Sequence, residues 1–157
     1  MTFELRTSVD IDATPERVWE VLTDLPAYAL WNPFITRAEG RVAVGERLSF
    51  SLPPVHALLR VTLRPRVLEA TPGRRLRLSS RQDRLGLPGL FDGEHTFTLS
   101  PHDGGVRLWQ EQRLHGVLVP LTTRSLNRSR LPALDAMNAA LKQRCEGAPA
   151  PARGDAA

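Results

Sequence analysis

Phe91-Asp92-Gly93-Glu94-His95-Thr96-Phe97-Thr98-Leu99, followed by Asp103-Gly104-Gly105 and then Val106 to His115, reads as two strands joined by a tight turn. Phe91, Gly93, His95, Phe97 and Leu99 share one parity; Asp92, Glu94, Thr96 and Thr98 share the other. Successive strand side chains point to opposite faces, so one face of this strand is apolar and the other polar. Asp-Gly is a hairpin signal, because its backbone tolerates the left-handed conformation that a tight turn between twisted strands needs. The same period runs through most of the chain. Phe3, Leu5, Val9 and Ile11 alternate with Glu4, Arg6, Asp10 and Asp12 over residues 2–12. Further strands are predicted over residues 34–39, 46–52, 57–70, 75–84 and 106–115. Leu48, Phe50 and Leu52 share a face, as do Leu59, Val61, Leu63 and Val67. Pro65 marks an edge position or a bulge in the strand over 57–70. If residues 101–105 close the hairpin, His95 lies opposite Gln110, with Gln112 one diagonal step away.

Two segments break the pattern. In Ala13-Thr14-Pro15-Glu16-Arg17-Val18-Trp19, Thr14 suits a helix N-cap, Pro15 the first helical position and Glu16 the positive end of the helix. Val18, Trp19 and Leu22 form its apolar face, Asp24-Leu25-Pro26 ends it, and residues 26–30 make one more turn. Near the end, Leu131, Leu134, Met137, Leu141 and Cys145 recur at helical steps, with Pro132 expected to kink or break the helix. The order is strand, two short helices, six strands and a long helix. Short turns between consecutive strands imply an antiparallel meander. The expected architecture is α+β: a seven-stranded antiparallel sheet curled around the long C-terminal helix. The domain is expected over residues 1–146, with 147–157 an Ala/Pro-rich tail lacking any large apolar side chain to repay its ordering.

Four stretches carry a family likeness. Ala13-Thr14-Pro15-Glu16-Arg17-Val18-Trp19 at the first helix, Trp31-Asn32-Pro33-Phe34 after the second, Phe91 to Phe97 on the sixth strand, and Met137-Asn138-Ala139-Ala140-Leu141-Lys142 on the last helix resemble the START-like, or SRPBCC, superfamily. The likeness is to its bacterial polyketide cyclase/dehydrase-like group and covers about residues 1–146. It implies a helix-grip fold with a cavity between sheet and long helix. Members bind apolar or amphipathic molecules there; some are polyketide cyclases or aromatases, and some carry lipids or quinones.

The cavity expectation has its own residues. Phe50, Leu63, Leu78, Phe97, Leu134, Met137 and Leu141 would line it or, alternatively, fill it as core. His95, Gln110, Gln112 and Ser80 are polar residues of inward parity. They could hold a ligand's polar end, or His95 could be a core histidine satisfied by a glutamine. Trp31 and Phe34 belong either to the cavity mouth or to the anchoring of the second helix. Trp109 takes the outward parity beside Arg107, Glu111 and Arg113, which suggests a cation–π stack or a homodimer surface unless a bulge shifts the phase.

Composition bounds the remaining readings. The chain has 157 residues, 21 basic and 17 acidic, with Lys142 the only lysine. The net charge of +4 raises nucleic-acid or anion binding on an outer arginine face as a third reading, after carrier and cyclase. Arg60, Arg64, Arg66, Arg77, Arg81, Arg107 and Arg113 take outward parities, which fits a solvated coat, so nucleic acid is not expected. Cys145 is the sole cysteine and is read as packing. The four histidines lie in separate segments with no metal-ligand spacing, and no phosphate or dinucleotide fingerprint occurs, so no metal and no cofactor are expected. No apolar run reaches the roughly 20 residues of a membrane span. Glu4 and Arg6 interrupt the first apolar pattern, so a cytoplasmic location is expected.

Overall fold

The computed structural model describes residues 2–53, 61–81, 92–117 and 119–147. The chain runs β1 (Thr2–Ile11), α1 (Pro15–Thr23), one tight helical turn (Leu25–Ala27), α2 (Tyr28–Trp31), β2 (Arg37–Glu39), β3 (Ser49–Leu52), β4 (Val61–Leu63), β5 (Arg66–Thr71), β6 (Arg75–Arg81), β7 (Asp92–His102), β8 (Gly105–His115) and α3 (Val119–Glu146). The class is α+β, as the pattern predicts, with the helix-grip arrangement that the family resemblance implies.

The strand count is eight among the described residues, in place of seven. The segment expected as one strand over 57–70 divides at Arg64-Pro65 into β4 and β5. Proline has no N–H to give a ladder, and here its carbonyl instead accepts from Leu48 N at 2.8 Å. The strands form a five-stranded sheet, β1-β8-β7-β6-β5, and a three-stranded sheet, β2-β3-β4. An isolated bridge between Arg47, just before β3, and Arg66, at the start of β5, ties the two sheets together. A bulge interrupts the β5–β6 pairing between Val67 and Glu69.

The hairpin closes through the two residues Asp103 and Gly104 and not over residues 101–105 as expected. Asp103 and Gly104 both have positive φ, 46° and 81°, and His102 pairs with Gly105. Pairing through Pro101 and His102 shifts the register, so His95 lies directly opposite Gln112, and Gln110 lies opposite Phe97. Gly105 is required for packing: a Cβ there would come 2.3 Å from the Ile11 carbonyl oxygen. β8 runs in unbroken register with both neighbours, so Trp109 and Glu111 keep their outward phase.

The helical ends follow local chemistry. Thr14 Oγ1 accepts from Arg17 N at 3.2 Å, capping α1. Val18 and Leu22 are fully buried, while Trp19 packs on the core half-buried. α3 continues through Pro132, which is exposed; the expected break does not occur. Three contacts lay α3 along β1: Thr7 Oγ1 donates to Asp135, Lys142 Nζ donates to the Asp10 carbonyl at 2.7 Å, and Asp12 N donates to Glu146 at 2.8 Å. The helix spans about 16 Å between the outer two, and the strand about 17 Å. They therefore run side by side and parallel, with Leu134, Met137, Leu141 and Cys145 buried beneath.

Candidate functional site

The Trp31-Asn32-Pro33-Phe34 segment is a structural clasp. Asn32 Oδ1 accepts from Phe34 N at 2.9 Å and Ile35 N at 2.8 Å, turning the chain out of α2 toward β2. The turn separates the two aromatic residues. Trp31 meets Tyr28 edge-on at 5.0 Å and lines a cleft of about 190 Å³ among Arg17, Glu20, Asp24 and Arg144. Phe34 goes to the other side, under the sheet.

There it borders a small cleft of about 30 Å³ lined by Phe34, Ile35, Phe50, Leu52, Leu63, Pro65, Leu78, His95 and Gln112. The volume is that of one or two water-sized groups. The expected residues Phe34, Phe50, Leu63, Leu78, His95 and Gln112 come together in it. Phe97 lies beside it, its ring stacked on His95 with centroids 4.5 Å apart. Leu134, Met137 and Leu141 are buried core and do not line this cleft. Gln110 joins them, fully buried, its Nε2 donating to Met137 Sδ at 3.4 Å. The backbone of Ser80 pairs with Gly93, in the inward register. Gln82, which shares the parity of Ser80 in the sequence, lies outside the described residues. Ile35, Leu52 and Pro65 were not expected; Leu52 could have been found from its shared parity with Phe50.

The polar atoms of the cleft are unusual. His95 Nε2 and Gln112 Oε1 are shielded from solvent and have no hydrogen-bond partner among the described residues. Buried polar groups in folded proteins nearly always find a partner, and leaving one unmade costs about 1–3 kcal/mol. Burial, assisted by the positive charge of Arg130, pushes the His95 pKa down to about 3. His95 is therefore a neutral imidazole near pH 7, able to donate from one ring nitrogen and accept at the other. It is a poor proton acceptor, because a base with so low a pKa is mismatched to neutral pH. No group of three or more His, Cys, Asp or Glu among the described residues could hold a metal.

Arg130 escaped the sequence reading, which placed the arginines on the outside. Its spacing of four, seven and eleven residues from Leu134, Met137 and Leu141 was the available signal. Cys145 is buried and its thiol is pushed up to about 11 by burial, which keeps it protonated and unreactive.

The outer face of the five-stranded sheet is charge-paired. Arg6 meets Glu111 at 2.9 Å, Arg77 meets Glu94 at 3.2 Å, Arg107 meets Asp10 at 2.6 Å and Arg113 meets Glu4 at 3.0 Å. Arg6 sits 4.0 Å over the Trp109 ring, and Arg107 lies 6.0 Å from it. These four arginines already have carboxylates, while Arg75 on the same face donates to Thr98 Oγ1 at 3.4 Å, so much of the positive charge here is neutralised, which weakens a nucleic-acid surface.

A curled sheet gripping a long helix, over an apolar cleft into which a histidine and a glutamine are set, is the START-like helix-grip class of fold. The family described as polyketide cyclase/dehydrase and lipid transport matches residues 2–146, and the chain belongs to it. Solved structures agree in fold. A protein from Mesorhizobium loti is 22% identical with a TM-score of 0.68, covering 90% of this chain and 96% of its own. The Zhui aromatase/cyclase from a Streptomyces species is 17% identical with a TM-score of 0.72, covering 93% and 94%. Truncated norcoclaurine synthase from Thalictrum flavum is 15% identical with a TM-score of 0.69, covering 95% and 96%. At such identities the likeness is one of fold. No curated protein matches the chain. No helix among the described residues is long and apolar enough to cross a membrane.

Proposed function

We propose that this protein binds an amphipathic small molecule, lipid-, quinone- or polyketide-like, as a carrier or sensor, with His95 and Gln112 holding the ligand's polar end. The observation that carries this reading is the pair itself. The two residues are opposite each other on β7 and β8, and each presents beside an apolar cleft a buried atom with no partner among the described residues. A ligand hydroxyl that donates to Gln112 Oε1 and accepts from a protonated His95 Nε2 relieves both costs at once. The apolar body then lies against the half-buried Phe34, Leu52 and Leu63. Carrying fits the site better than catalysis, because no carboxylate among the described residues lines the cleft to tune the neutral His95. Cyclase-type chemistry is the second reading. Family membership favours it, and a neutral imidazole donating to a carbonyl would assist it by orientation.

The test is displacement of the neutral fluorophore N-phenyl-1-naphthylamine by dodecanol. Wild-type protein is expected to bind both. His95→Ala and Gln112→Leu each weaken dodecanol by about 2- to 10-fold, the worth of one hydrogen bond. Absence of binding, or unchanged dodecanol affinity in both variants, overturns the reading.

A further inference from the structure

We propose that the free edge of β1 is an interface for a second copy of this chain, the two β1 strands pairing antiparallel about a twofold axis beside Leu5. The inference is independent of the ligand reading above.

The five-stranded sheet ends in β1 on one side and β5 on the other. The β5 edge is covered. Gly45 N donates to the Val67 carbonyl and Val67 N to the Glu46 carbonyl, both at 2.9 Å. The β1 edge is not. Which of its backbone groups face outward follows from the register. In a two-residue hairpin the closing pair, His102 with Gly105, is hydrogen-bonded, and bonded pairs then alternate along the strands. Gly105, Arg107, Trp109 and Glu111 therefore turn their N–H and C=O groups to β7, and the residues between them turn theirs to β1. Their partners on β1 are Leu5, Thr7, Val9 and Ile11. Thr2, Glu4, Arg6, Ser8 and Asp10 are left pointing away from β8. The bond from Lys142 Nζ to the Asp10 carbonyl agrees with this phase. It covers only that end. From Thr2 to Ser8 the outward N–H and C=O groups have no partner among the described residues, and these four residues are exposed.

An unpaired row of this kind is a template for another strand, and folded proteins blunt it with a proline, a bulge, an inward charge or brevity. β1 has ten residues, no proline, unbroken register with β8, and only Phe3, Leu5, Thr7, Val9 and Ile11 in the inward phase. Its charges select the partner. A twofold axis pairs outward residues with outward residues. An axis beside Glu4 sets Glu4 against its own copy, and one beside Arg6 does the same to Arg6. An axis beside Thr7 sets Glu4 against Asp10. An axis beside Leu5 sets Glu4 against Arg6 of the second copy, and Thr2 against its Ser8. That register also continues the outer charge rows. Glu94 faces Arg113, which meets Glu4 at 3.0 Å. Glu4 would then meet Arg6 of the second copy, which meets Glu111 of its own chain as Arg6 meets Glu111 at 2.9 Å here. The signs alternate without a break across the seam. Backbone bonds supply the affinity and the charges fix the register.

The experiment is sedimentation velocity of the full chain over about 1–200 μM, where a dimer fraction should rise by mass action. Ser8→Pro removes an outward N–H and leaves the β8 ladder intact, so it should be monomeric with an unchanged circular dichroism spectrum. Glu4→Arg and Arg6→Glu each set like charges across the seam and should weaken the dimer at least about tenfold. An equimolar mixture of those two variants restores opposite charges and should form a heterodimer. A wild type that stays monomeric throughout overturns the inference. So does a dimer that both charge variants leave intact, or a mixture of them that stays monomeric. The charge variants alter only exposed side chains, so they decide the matter even where Ser8→Pro does not fold.

Discussion

The two faces of β7 and β8 are made by the same strands and treat polar groups in opposite ways. Outside, Glu94, Arg107, Glu111 and Arg113 each have a charged partner within 3.2 Å, and Trp109 lies beneath Arg6. Inside, among Phe97, Leu108 and Leu114, His95 and Gln112 have shielded atoms with no partner among the described residues. Outer pairs are screened by water and each contributes little, about 0–1 kcal/mol. Inner orphans cost stability and are tolerated where something else completes them. Charge density on this protein therefore marks its coat, and polar scarcity marks its site.

Substitutions on one strand probe that contrast directly. Leu108 is fully buried, and Leu108→Ala should cost about 2–5 kcal/mol in urea unfolding. A loss below about 1 kcal/mol would show the inner layer to be loosely packed there.

The next effect is in pH dependence. His95 titrates near 6.5 in the unfolded chain and about 3 in the folded one. Between those values the unfolded chain takes up a proton that the folded chain refuses. Stability is therefore highest above pH 6.5 and falls as the pH is lowered toward 3. His95→Phe should remove that share of the slope, on the order of a few kcal/mol at most across the window. Parallel stability–pH curves for variant and wild type would place the imidazole in water instead.

The smallest effect belongs outside. Glu111→Ala removes the partner of Arg6, whose side chain is 59% exposed, and should change stability by less than about 1 kcal/mol. A loss comparable to that of Leu108→Ala would erase the distinction between the faces.

Much of this was legible along the chain. Alternation on β1, β7 and β8 identified the inward residues, the Thr14-Pro15 start identified α1, and the absence of helical period between them identified the sheet. His95 and Gln112 were visible as polar residues in apolar phase. Three features were not. Pro65 divides a strand because its partner Leu48 comes from elsewhere in the chain. The pairing of His95 with Gln112 depends on where the turn closes. Arg130 reads as a surface arginine until α3 is laid against β1.

The sequence by itself determined which face of each element is apolar, and from that the class of fold, because side-chain direction repeats locally every two residues in a strand and about every 3.6 in a helix. Only the tertiary structure decided which inward residues meet. Register is a relation between segments, set here by the Asp103-Gly104 turn, by the close approach of Gly105 to Ile11, and by the contacts of α3 with Thr7, Asp10 and Asp12. Those relations set His95 of β7 directly opposite Gln112 of β8 and lay α3 along β1.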